Sequence, residues 1–97
     1  MYLLEVLSGP LDGKTWSFER EITIGRDDKV AEACIALDRY VSRKHAHVRA
    51  DGETILLTDL KSRNGIRLDG KSVERDAQVD VGAPFVVGRT TLRVTRA

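Results

Sequence analysis

The chain has 97 residues, enough for one modest hydrophobic core. Hydrophobic residues make up 41% and charged residues 32%, a balance too apolar for a disordered segment. Lys and Arg number 16 against 15 Asp and Glu, so the net charge of +1 gives no general attraction to a polyanion such as DNA, and an anion site has to come from local clustering of charge.

From the N-terminus, residues 1–7 (MYLLEVL) lack a basic start and are interrupted by Glu5, so they read as a strand over residues 2–7 and not as a signal peptide. Residues 8–13 (SGPLDG) are a turn cluster. Residues 15–18 form a second strand with Trp16 and Phe18 on one face, and in residues 21–24 Ile22 and Ile24 point to the core before Gly25 ends the run. Residues 27–33 read as a polar connection, too short for a stable helix. Cys34, within the apolar run 33–37, reads as a small buried core residue. It is the one cysteine, so no intramolecular disulfide forms, and with two histidines it makes no convincing zinc site. Ile35 and Leu37 share a face.

Further on, Ala46, Val48 and Ala50 alternate with His45, His47 and Arg49, and Asp51-Gly52 signals a hairpin. Ile55 and Leu57 alternate again and stop at Asp59. Residues 66–68 are a short strand followed by a second hairpin turn at Asp69-Gly70, residues 79–84 read as a loop, and residues 85–87 with 92–94 form a closing hairpin. Short alternating runs broken by turn residues, with no long 3.6-residue period, predict an all-β sandwich or barrel. No run approaches the ~18 apolar residues of a membrane span. Absence of linkers and low-complexity stretches predicts one domain over residues 1–97, and the lack of a membrane span or signal peptide predicts a cytoplasmic setting. Gly-Arg occurs at 25-26 and 88-89, but the surroundings differ and no repeat follows.

Three loop segments carry residue types that core packing does not explain. Gly25-Arg26 follows a strand, where glycine permits a tight turn and the arginine swings its donors off the sheet end. Ser42-Arg43-Lys44-His45 combines a hydroxyl, two cations and an imidazole. His45 can be a ligand, a catalytic base or a structural histidine bonding nearby backbone; its position at the entry to a strand favours the last. Residues 59–65 (DLKSRNG) end in Asn64-Gly65, a plain turn or an amide able to clamp a peptide backbone. A dianionic phosphate binds best where arginine, hydroxyl and backbone donors converge, and loops at one end of a sandwich can bring Arg26, Ser42, Arg43, Arg63 and Asn64 together.

In order and spacing these segments resemble the forkhead-associated (FHA) domain family, whose pattern is Gly-Arg, then Ser-Arg-x-His, then Ser-x-Asn-Gly with an aspartate three residues before the serine. Residues 8–14 (SGPLDGK) and 82–88 (GAPFVVG) are also similar, so the resemblance spans almost the whole chain. It implies a β-sandwich of about eleven strands that reads phosphothreonine on a partner protein, a Ser/Thr kinase or its substrate. Carried over by position, Arg26 and Ser42 would contact the phosphate, with Arg43 on phosphate or peptide. Asn64 would bond the peptide main chain, Arg39 and Tyr40 would meet residues flanking the phosphothreonine, and Gly25, His45 and Gly65 would support the loops. Arg63 stands where the family often has threonine, as does Ile66, and Gly82-Ala83 replaces a usual Gly-Asp. The resemblance implies no cofactor, no metal and no catalysis, with a monomer expected.

Three rivals are weighed against this reading. A phosphate-independent scaffold or self-association domain of the same fold would not need both Arg26 and Ser42. A hydrolase using Ser42 and His45 lacks a nucleophile elbow or a second base. A single-stranded nucleic-acid binder is disfavoured by five aromatics, mostly placed as core, and a near-zero net charge.

Overall fold

The computed structural model describes residues 1–96, and those residues form eleven strands. In chain order they are β1 (Tyr2–Ser8), β2 (Thr15–Phe18), β3 (Glu21–Gly25), β4 (Ala33–Cys34), β5 (Ala46–Asp51), β6 (Thr54–Asp59), β7 (Ile66–Leu68), β8 (Lys71–Val73), β9 (Asp76–Asp80), β10 (Phe85–Val87) and β11 (Thr90–Arg96). One sheet has the order β2-β1-β11-β10-β7-β8 and the other β4-β3-β5-β6-β9. The fold is the all-β sandwich expected from the sequence, and no helix is long and apolar enough to cross a membrane.

Period-2 alternation explains the two layers. In β1, Tyr2, Leu4 and Val6 are buried while Leu3, Glu5 and Leu7 are half-buried; in β11, Leu92 and Val94 oppose Val6 and Leu4 in register. From the second sheet, Ile22, Ile24, Val48, Ile55 and Leu57 meet them across the sandwich. Each such side chain, fully buried, contributes roughly 1.5–3 kcal/mol. Core packing thus makes a rigid frame, and the loops at one end of it hang from fixed points.

Turn chemistry fixes the hairpins. Asp69 and Gly70 both have positive φ (51° and 78°) and close β7 onto β8 as a two-residue turn, as Asp-Gly predicts. The β5–β6 turn falls one residue later than expected. Asp51 pairs with Thr54 inside the ladder, so the turn pair is Gly52-Glu53 with glycine in the first, left-handed position.

Four other expectations need correction. Of the loop expected over residues 79–84, residues 79 and 80 instead end a strand over Asp76–Asp80: Val79 pairs with Ile55 and Ala77 with Leu57, completing the second sheet at its edge. Ala33 and Cys34 leave the polar connection to form a two-residue parallel strand beside Ile24 and Gly25. Leu37 does not share the buried face of Ile35; it is 66% exposed, because the chain turns at residues 36–37 on leaving β4. Cys34 is half-buried, not core, since Ala33 and Ile35 take the inward positions and the thiol points to the Arg26 carbonyl, 3.4 Å away.

Candidate functional site

The loops after β3, β4 and β6 and the β10–β11 turn gather at one end of the sandwich, tied to each other by hydrogen bonds. Gly25 lets the first two meet. A Cβ built there would lie 2.0 Å from the Arg43 carbonyl oxygen. The reason for glycine is therefore the close approach of two backbones, and not the turn conformation expected from sequence; Gly25 has no positive φ. Across this contact Arg26 N–H donates to the Ser42 carbonyl at 3.0 Å, and Asp27 N–H to that of Arg43 at 3.3 Å.

The Arg26 side chain is held by its own bond: Nε donates to the Val41 carbonyl at 2.9 Å. A guanidinium has five donors, so the outer four remain for a ligand while the fork's direction is set. Arg26 and Arg43 line one groove together with Asp27, Asp28 and Cys34. Ser42 lies at the junction of the loops. Its Oγ accepts the Arg63 N–H at 3.0 Å, which leaves the hydroxyl proton to donate outward. The backbone of Arg63 thus has a defined task, while its exposed side chain belongs to none of the hydrogen bonds found among the described residues.

The third loop is stiffened from inside. Asp59 Oδ1 accepts both the Ser62 N–H (3.1 Å) and the Ser62 hydroxyl (2.5 Å), and Ser62 Oγ accepts the Gly65 N–H at 2.9 Å. Asn64 then reaches across, its Nδ2 donating to the Tyr40 carbonyl at 2.8 Å. Its Oδ1 and second N–H stay available to a peptide main chain. Arg39 and Tyr40 are exposed on the neighbouring loop, beside Leu37 and Pro10.

His45 joins all of this. It is fully buried; Nδ1 accepts the Ser42 N–H at 2.9 Å and Nε2 faces the Gly65 carbonyl at 2.7 Å. Accepting at Nδ1 places the ring proton on Nε2, which donates to Gly65, so the ring is neutral and both nitrogens are engaged. Burial lowers its pKa from the ordinary 6.5, against the raising effects of the Gly65 bond and of Asp59 and Asp38. Neither nitrogen meets the Ser42 hydroxyl, so Ser42 and His45 do not form a nucleophile–base pair. Both ring nitrogens instead meet loop backbone, at Ser42 and Gly65.

A pH dependence follows. The unfolded chain takes up a proton on this histidine near 6.5 and the folded chain only at lower pH. Below 6.5 the unfolded state therefore holds more protons, and stability, complete above that pH, declines as pH falls toward the folded value. Thermal melts from pH 7.5 to 5 should show this decline in the wild type and in His47→Ala. His45→Ala should melt lower at every pH and lose much of the slope. Its two orphaned backbone partners cost about 1–3 kcal/mol each, and a domain of this size loses about 4–8 °C per kcal/mol. An unchanged melting temperature in His45→Ala would remove the residue from the loop scaffold.

Sequence reasoning missed one organising residue. Asp38 is 2% exposed, and its carboxylate accepts the N–H of Tyr40 and of Arg89 (2.9 Å each) and the Thr90 hydroxyl (2.6 Å). It fastens the loop before Ser42 to the β10–β11 turn, 51 residues away along the chain. That turn is the second Gly-Arg pair, and the Arg89 guanidinium lies 4.2 Å over the Tyr40 ring.

Comparison with known proteins gives consistent relatives. A family model described as the cytoplasmic domain of an inner membrane component of T3SS matches residues 5–97. The chain is 32% identical over 92 residues to the FHA domain-containing protein FhaB of Mycobacterium tuberculosis (strain ATCC 25618 / H37Rv), across 94% of this chain and 58% of that protein. It thus spans little more than half the length of that relative. Among solved structures, the FHA domain of CT664 from Chlamydia trachomatis superposes with a TM-score of 0.88 at 24% identity, covering 99% of this chain and 97% of that one; at that identity the likeness concerns the fold alone. An FHA domain solved in a study of phosphothreonine-dependent FHA interactions is 30% identical with a TM-score of 0.81, covering 99% and 96% of the two chains.

Proposed function

The chain belongs to the FHA family, whose fold the T3SS cytoplasmic domain of the matching family model shares, and on that premise we propose that it is a phosphothreonine-dependent interaction module and not an enzyme. Arg26 and Ser42 grip the phosphate, Arg43 adds charge, and Asn64 bonds the peptide main chain beside the phosphothreonine. Arg39, Tyr40 and Arg63 border the bound peptide, and Gly25, His45 and Gly65 hold the loops. The partner is a phosphorylated protein, a Ser/Thr kinase or its substrate, met in the cytoplasm by a monomeric reader.

One observation carries most of this reading. The N–H groups of Arg26 and Arg63, from loops 37 residues apart in number, both bond Ser42, one at its carbonyl and one at its hydroxyl oxygen. Donors scattered in the sequence are thereby preorganised around one serine before any ligand arrives, which lowers the ordering cost of binding. Arginine clusters of this kind read phospho-motifs. A second reading, a phosphate-independent assembly domain of the same fold, draws support from the family model, which describes an apparatus component.

An NMR titration of the labelled domain with a phosphothreonine peptide tests the location. Amide shifts should concentrate at Arg26, Ser42, Arg63 and Asn64. Shifts centred instead on the outer face of the second sheet, around Arg49 and Leu56, would contradict the assignment.

A further inference from the structure

Next to Asn64, and sharing no lining residue with the Arg26–Arg43 groove, a second groove of about 300 Å³ runs between Tyr40, Asn64, Arg67, Val86 and Arg89. Two features separate it from an ordinary solvated surface. Its lining holds two arginines and no carboxylate. Neither Arg67 nor Arg89 takes part in the ion pairs found among the described residues, which join His47 to Glu21, Arg93 to Glu5 and Arg96 to Glu53 elsewhere on the sandwich.

The groove is also rigid. Arg67 is carried on β7, paired with Val86 on one side and Ser72 on the other. Arg89 is fixed at its backbone by Asp38 and at its guanidinium by the Tyr40 ring, while the same Asp38 carboxylate fixes the Tyr40 backbone. The stack is therefore set from both partners, which reduces the side-chain freedom that an arginine loses on meeting an anion. Asn64 lines this groove and its Nδ2 bonds the Tyr40 carbonyl within it, while the N–H of its neighbour Arg63 bonds the Ser42 hydroxyl oxygen. A peptide main chain held by Asn64 would run on into the groove that this residue lines.

We infer that Arg89 and Arg67 select an acidic side chain, aspartate or glutamate, in the peptide segment that leaves the phosphothreonine past Asn64. This rests on the phosphothreonine reading and adds a sequence preference to it. Two exposed charge-assisted contacts favour the acidic residue by about five- to tenfold over alanine, an advantage that shrinks with salt.

The test uses phosphothreonine peptides with alanine flanks, into which aspartate is placed at one flanking position at a time, measured by fluorescence anisotropy at 50 and 300 mM NaCl. The wild type should bind the alanine-flanked peptide and gain affinity at a position on one side only. The gain should vanish in Arg67→Ala/Arg89→Ala, persist in Arg49→Ala, and turn into a preference for lysine in Arg67→Glu/Arg89→Glu. Binding of the alanine-flanked peptide with no gain at any position, or a gain that survives the double alanine variant, overturns the acidic preference while leaving the phosphothreonine reading intact. No binding of any phosphopeptide overturns both.

Discussion

Arg26→Ala is expected to weaken phosphothreonine-peptide binding by about 1.5–3 kcal/mol, the range of hydrogen bonds to charged groups, or roughly ten- to 150-fold at 1.4 kcal/mol per decade. The size follows from how the side chain is held. Nε is bonded to the Val41 carbonyl, so the guanidinium is anchored to the loop that carries Ser42 and its outer donors are directed before the ligand arrives. Alanine removes both the donors and the anchor. Arg26→Lys should recover only part of the loss, because one ammonium cannot bond Val41 and present a planar pair of donors together. Arg26 is exposed and contributes little to the core, so the melting temperature should change far less than the affinity. Isothermal calorimetry on both variants checks this; an affinity within twofold of the wild type for Arg26→Ala would remove Arg26 from the phosphate site.

Gly25→Ala should be among the most damaging substitutions to the fold. The new methyl would overlap the Arg43 carbonyl oxygen at 2.0 Å and the carbonyl carbon at 2.8 Å, both backbone atoms that no rotamer change can move. The end of β3 would have to part from residues 42–43 by about 1 Å. That movement strains the Arg26–Ser42 and Asp27–Arg43 hydrogen bonds and the His45 N–H bond to the Ile24 carbonyl. Overpacking costs about 1–3 kcal/mol and each hydrogen bond about 1 kcal/mol, so the loss comes to roughly 3–5 kcal/mol, a fall in Tm of well over 10 °C at about 4–8 °C per kcal/mol. Gly13→Ala is the comparison: nothing lies within 4 Å of its Cβ, so the cost is confined to its positive φ of 89°, at about 1–2 kcal/mol. Equal melting temperatures for the two variants would contradict the close-approach account of Gly25.

Sequence reasoning reached the fold wherever alternation was strong. Ile22 and Ile24, or Ile55 and Leu57, announce an inward face by size alone. It failed at β9, whose inward residues are a small Ala77 and a half-buried Val79 set among charges, and at β4, where two residues are a strand only because β3 lies alongside. In the site, His45 was legible because a strand entry leaves a histidine few tasks but backbone bonding. Gly25 was found for a different reason than the one that holds. Asp38 gave no signal: between Leu37 and Arg39 it reads as a solvated loop residue, and only contacts with Arg89 and Thr90, 51 and 52 positions away, make it a buried tie. The same distance hid Arg89, whose place beside Tyr40 is a product of topology and not of local pattern.

The central claim is that the loops built around Ser42 recognise a phosphate on threonine. Calorimetry of the wild-type domain with one peptide in two forms, phosphorylated and unphosphorylated at a single threonine, tests it most directly. Saturable binding of the phosphorylated form, with no measurable heat from its twin and with phosphoserine weaker than phosphothreonine, is the predicted result. Equal binding of the phosphorylated and unphosphorylated forms would contradict it.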